Sequence, residues 1–183
     1  MISVGRLRLA GLLAVGAALI LWQALRSGDT ASSAYRRPAG AIVGYARVID
    51  GDTLDIAGRR IRLHGVDAPE SSQQCEADGT FYRCGTQAAL ALADLLRGQM
   101  VECQPVDRDR YQRIVARCRI ADGGTRINAW LVRQGYAVAY RQYSYDYMPD
   151  EIVARVARRG LWAGTFQMPW DYRAGMRTGR ASF

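Results

Sequence analysis

Apolar and β-branched residues dominate positions 41–50, break at Asp50-Gly51-Asp52-Thr53, return over 53–56, and return again over 60–66 after Ala57-Gly58-Arg59. Short apolar runs punctuated by Gly and Asp read as strands, the second and third joined as a hairpin. Pro69 ends the third, because proline has no N–H to give a ladder. A polar loop follows over 70–84. Residues 87–96 carry Leu90, Leu92, Leu95 and Leu96 at helical spacing, and Gly98 is suited to the left-handed position past a helix end. Residues 100–104 and 114–120 read as strands around the charged loop Asp107-Arg108-Asp109-Arg110. A second helix is expected over 127–134, stopped by Gly135, then a short strand over 136–140. A third helix is expected over 149–159, with Asp150 and Glu151 at its positive end and Gly160 after it. Strands first and helices later, at short spacing, predict an α+β domain built on a small barrel. The tail from Gly164 holds Trp170 among glycines and arginines, and its end is expected to be disordered.

The start of the chain has a different pattern. Arg6 and Arg8 precede an apolar run from Leu9 to Leu25, which Arg26 closes. This is the form of a signal sequence. At about 17 residues the run is also near the lower limit for a membrane span. A retained N-terminal anchor and a cleaved signal both fit. Either way the domain is expected to face an oxidising space, anchored towards the periplasm or exterior, or secreted. The expected division is 1–26 for the signal or anchor, 27–40 for a linker, 41–163 for the folded domain and 164–183 for the tail.

Charge and cysteines sharpen this picture. The formal net charge is +8, and all 25 basic residues are arginine. A basic domain suits an anionic partner, either nucleic acid or a membrane surface. The four cysteines, behind a targeting segment, favour disulfides. Zinc is disfavoured: no C-x₂-C spacing occurs and His64 is the one histidine. Of the three possible pairings, a β-hairpin turning near Arg110 and Tyr111 sets Cys103 across from Cys118. Cys75 and Cys84 are left to close the polar loop beyond Glu70.

The candidate chemistry lies in two turns. A hairpin turning near Gly58 and Arg59 sets Asp52 opposite Gly65, give or take two positions. That brings Asp52 and Asp67 together, with Gly65 leaving room beside them. Two neighbouring carboxylates repel unless a proton or a cation lies between them. A hard cation with oxygen ligands fits, and calcium tolerates irregular geometry best. A lone D-G-D-T is more often a plain turn. Arg62, Glu70 and Arg113 change that balance. Phosphodiester hydrolysis needs a carboxylate to take a proton from water, and cationic groups to meet charge building on phosphoryl oxygens. Arginine's planar fork matches two such oxygens.

These residues, in order, resemble the staphylococcal nuclease (thermonuclease) family. The resemblance runs through Ile49-Asp50-Gly51-Asp52-Thr53, Arg62 with Val66-Asp67-Ala68-Pro69-Glu70, Asp109-Arg110-Tyr111-Gln112-Arg113 and Leu131-Val132-Arg133-Gln134-Gly135, and covers about residues 41–163. It implies an OB-like five-stranded barrel with three helices, and a calcium-dependent nuclease that cuts DNA and RNA and leaves 3′-phosphates. By position it assigns Asp52, Asp67 and the Ala68 carbonyl to calcium, Arg62 and Arg113 to phosphate, and Glu70 to the base. It assigns Arg110, Tyr111 and Tyr140 to the nucleotide. Gln112 stands where the family usually has glycine, Ala68 where it often has threonine, and the first hairpin is shorter. The cysteines Cys75, Cys84, Cys103 and Cys118 resemble an exported bacterial subgroup.

His64 shares strand parity with Arg62 and is a rival base, although a lone strand histidine is more often structural. Tyr136, Tyr140, Tyr143, Tyr145 and Tyr147 suit either base stacking or a core edge. The competing function is a non-catalytic OB-like nucleic-acid-binding module tethered to the membrane, in which the acids and arginines need not all be kept. A monomer is expected.

Overall fold

Glycine turns at Gly51 and Gly58, and register shifts at Val48/Asp50 and Pro105/Asp107, set the geometry of the barrel. The computed structural model describes residues 38–178; the apolar run at 9–25 and residues 179–183 lie outside them. In chain order the strands are β1 (Ile42–Asp50), β2 (Thr53–Ile56), β3 (Arg59–Leu63), β4 (Val66–Asp67), β5 (Cys75–Ala77) and β6 (Thr80–Tyr82). They continue with β7 (Met100–Arg108), β8 (Ile114–Ile120) and β9 (Val138–Ala139). The helices are α1 (Cys84–Leu96), α2 (Ile127–Arg133), α3 (Met148–Val156) and α4 (Pro169–Thr178), with a 3₁₀ turn at Gly160–Ala163. Strands β1, β2, β3, β8 and β7 close into a barrel in that order. Only the β3–β8 pair among these is parallel.

Alternation fills the interior. On β3, Ile61 and Leu63 point into the core while Arg60 and Arg62 point out. Leu54, Ile56, Leu92, Val101, Ile127 and Leu131 complete a fully buried centre. The β7–β8 hairpin pairs Cys103 with Cys118, as its sequence register requires, and a disulfide joins them. The second disulfide joins Cys75 to Cys84. It lies in a satellite cluster with Val138 and Leu161, against which Tyr82, Trp162, Phe166, Met168 and Trp170 pack.

The OB-like barrel stands as expected, with four corrections of detail. The first hairpin turns one residue earlier, at Ala57-Gly58, both with positive φ. That is the two-residue turn whose twist suits a hairpin. Thr53 therefore pairs with Arg62, and the Leu63 N–H donates to the Asp52 carbonyl at 2.8 Å. Helix α1 begins about one turn before Gln87, because Gly85 lets its first turn sit on the Glu70 carbonyl; a Cβ there would lie 1.9 Å from that oxygen. The polar loop holds a small β5–β6 hairpin. The tail carries structure that the sequence reading did not assign: Phe166, Met168 and Trp170 pack on the satellite cluster and α4 follows, while the expected disorder of the end falls on residues 179–183, outside the described ones.

Candidate active site

Gly51 is the steric condition for the site. A Cβ there would lie 2.6 Å from the Ala68 Cβ and 3.1 Å from the Ala88 Cβ. With glycine, the turn after β1 lies directly on the segment after β4. The Ala68 N–H then donates to Asp52 Oδ2 at 3.2 Å. Asp50 shapes the same turn, its Oδ1 accepting from the Asp52 N–H at 3.0 Å.

Asp52 and Asp67 meet at one guanidinium. Arg62 donates from Nη1 to Asp52 Oδ1 and from Nη2 to Asp67 Oδ1, both at 2.8 Å. A second guanidinium comes from α4. Arg173 donates from Nη2 to Asp67 Oδ2 at 2.8 Å and from Nη1 to Glu70 Oε1 at 3.1 Å. The sequence reading missed Arg173, having assigned no element to the tail before its end. A signal was available: Pro169 opens α4, Asp171 lies in its first turn and Arg177 in its last.

Burial separates the acids. The side chains of Asp67 and Asp52 are 0% and 6% exposed, that of Glu70 42%. Burial, offset in part by Arg62 and reinforced by Asp50 and Asp67, raises the Asp52 carboxyl to about 7. The pocket is short of positive charge: once Asp52 is ionised, Asp50, Asp52, Asp67 and Glu70 are set against Arg62 and Arg173, which leaves two negative charges uncompensated. Among the described residues, no three His, Cys, Asp or Glu side chains are gathered closely enough to cage a metal unaided. The donors and the charge deficit therefore fit a divalent ion in an open oxygen site, completed by backbone carbonyl and water.

Arg113 lies elsewhere in the hydrogen-bond network. Its Nε pairs with Asp109 Oδ2 at 2.6 Å. No described bond joins it to Asp52, Asp67 or Glu70. Asp109 Oδ1 also accepts from the Tyr111 and Arg113 N–H groups. Against burial, which alone would raise it, these bonds hold the Asp109 carboxyl below its ordinary value. Gln112 takes φ of 62°, so the loop keeps the left-handed turn that glycine would provide. Arg110 and Arg113 both approach the exposed Tyr111 ring, at 4.9 and 5.6 Å from its centre. Tyr111, Arg113, Arg59, Arg60 and Arg108 line a basic cleft of about 490 Å³.

The tyrosines divide. Tyr147 is core, and it fills, with Ser144, the space beside Gly65 that had been expected at the carboxylates. Tyr136 packs on Trp130. Tyr140 lies beside the acids: after burial, the neighbouring Asp67 charge is the next cause raising its hydroxyl. Its ring stacks on Trp170 at 5.4 Å and 8°. His64 sits past the end of β3, and Arg117, Asp146 and Asp107 are the charges that act on it. It is not one of the carboxylate set.

The closed barrel thus carries two buried carboxylates and an exposed acid around two guanidiniums, and a separate cleft lined by arginines. The family model "Staphylococcal nuclease homologue" matches residues 60–164, and the chain belongs to that family. Membership places the domain among nuclease-type hydrolases. A micrococcal nuclease of Shigella flexneri is 36% identical over 146 residues, covering 69% of this chain and 77% of that one. An uncharacterized endonuclease of Escherichia coli is 34% identical over 134 residues, covering 69% and 81%. The succinoglycan biosynthesis protein ExoI of Rhizobium meliloti is 48% identical over 102 residues, 55% of this chain, and the chain matches only 53% of its length.

Proposed function

We propose that the domain is a calcium-dependent nuclease that hydrolyses phosphodiester bonds in DNA and RNA and leaves 3′-phosphate ends. The observation that carries the reading is the division of the acids by exposure. Asp52 and Asp67 are buried where an ion needs anionic oxygens, and Glu70 is the acid with access to water. Glu70 takes the proton of an attacking water. Arg62, fixed by two buried acids, presents its fork at a defined position and meets charge growing on the phosphoryl oxygens. Arg113, held by Asp109 through Nε, serves phosphate from the neighbouring cleft, with Arg110 and Tyr111 binding the flanking nucleotide. Tyr140 offers a ring for a base. Calcium, held by Asp52, Asp67 and the Ala68 carbonyl, supplies Lewis-acid charge to the phosphate when bound.

The domain works outside the cytoplasm, anchored or secreted; the two disulfides support that address. The direct test is digestion of plasmid and single-stranded DNA by the purified protein, with calcium and then with chelator. Cleavage that persists at full chelation, or no cleavage with calcium, contradicts the reading.

A further inference from the structure

We propose that Arg173 is a third arginine of the phosphate site, delivered by α4: it rests on Asp67 and Glu70 in the free protein and transfers to a substrate phosphate in the complex. The inference rests on the nuclease reading of the same site, and concerns a residue beyond the family-matched span 60–164.

Three observations carry it. First, the guanidinium is placed with care. Trp170, three residues earlier and on the same side of the helix, stacks on Tyr140. The buried Gln73 donates from Nε2 to the Gln167 carbonyl at 2.6 Å, and the Ser72 and Tyr172 hydroxyls lie 3.1 Å apart. Each contact ties the approach to α4 to the loop that carries Glu70 or to the wall that carries Tyr140. Second, Arg173 touches both classes of acid, the buried Asp67 and the exposed Glu70. Glu70 Oε1 accepts from Arg173 Nη1 at 3.1 Å in the free protein, and it is freed to face water when Arg173 moves to the phosphate. Third, its side chain is 29% exposed, so a phosphate that reaches Asp67 and Glu70 from solvent meets it without crossing the core. An entering phosphate offers the fork two oxygens in exchange for the two it gives up.

Competition and recruitment make opposite demands, which separates this role from a structural one. A cation resting on Asp67 and Glu70 opposes a second cation at the same acids. Arg173→Ala should therefore bind calcium, titrated alone by calorimetry, about three- to tenfold tighter than the native protein. The same variant, saturated with calcium, should bind thymidine 5′-monophosphate roughly tenfold or more weaker, the range for a lost charge-assisted hydrogen bond. That probe has a phosphate and no diester to cleave, so binding is read without turnover. Arg173→Lys keeps the charge and loses the fork. It should leave calcium affinity near native and still weaken the nucleotide. If Arg173→Ala weakens both ligands, the residue merely holds the fold together and the inference fails. If it tightens both, α4 is an inhibitory cover, and the transfer to phosphate is wrong. Native protein that binds calcium and does not cut DNA overturns the nuclease reading instead, and leaves the two affinities of Arg173→Ala to judge Arg173.

Discussion

The Ala68 N–H donates to the Asp52 carboxylate at 3.2 Å across 16 residues of chain, and this bond forms only because Gly51 has no side chain. A methyl at position 51 would overlap the Ala68 methyl, and one or both turns must move. Gly51→Ala is expected to cost about 1–3 kcal/mol in urea unfolding, as overpacking does, and to weaken calcium binding in the same protein. Native-like stability and calcium affinity would show that the two turns are not locked together.

Arg62 and Arg113 are similar in sequence terms and different in the fold. Arg62 neutralises two buried carboxylates, whereas Arg113 pairs with Asp109 at the rim. Removing one partner of a buried pair leaves an uncompensated charge and costs roughly 3–5 kcal/mol, while a more exposed pair contributes about 0–1 kcal/mol. In chelator, Arg62→Ala should unfold at clearly lower urea than Arg113→Ala, and calcium should restore part of the difference. Equal stabilities would mean that Arg62 is not the counter-ion of the acids.

The raised Asp52 carboxyl makes a signed prediction about pH. Its value moves from 3.8 to about 7 on folding, chiefly through burial. Between those values the folded chain holds a proton that the unfolded chain has released. Stability from this group is therefore full below about pH 4 and is lost as pH rises towards 7. In chelator, the native protein should lose more stability over that window than Asp52→Asn, whose profile should be flatter. Parallel profiles would contradict the burial-driven shift.

The disulfides should separate stability from function. Cys103–Cys118 ties two barrel strands, and Cys75–Cys84 ties the Glu70 loop to α1. Replacing the first pair by alanine should cost about 3 kcal/mol in the chain-entropy picture, with little change in the chemical step once folded. Replacing the second should slow cleavage more than its stability loss accounts for, because Glu70 loses its anchor. Peptide mapping without reduction should recover both pairs from exported protein. Four free thiols there would contradict the pairing and the proposed address together.

Much of this was legible in local pattern. Alternation marked the barrel strands, and the hairpin register around Arg110 and Tyr111 set Cys103 across from Cys118. The meeting of Asp52 and Asp67 followed from the hairpin, although its turn falls one residue earlier than expected. The space beside Gly65 was misread because Ser144 and Tyr147 arrive from a distant loop. Arg173 was missed for the same physical reason. Its helix is short and polar, so hydrophobic periodicity hardly marks it, and it is held by tertiary contacts to Gln73, Ser72 and Tyr140. Arg113 was expected among the acids, but local bonds to Asp109 set its orientation instead.

The central claim is that Glu70 does chemistry while the buried acids hold the cation. The most direct measurement is single-turnover cleavage of one labelled DNA by the native protein and by Glu70→Gln, each saturated with calcium, with DNA affinity measured on the same samples. The account predicts affinity within a fewfold of native and a chemical step slower by about 10²–10⁴-fold, the usual contribution of a general base. A Glu70→Gln protein that cleaves as fast as the native one would contradict it.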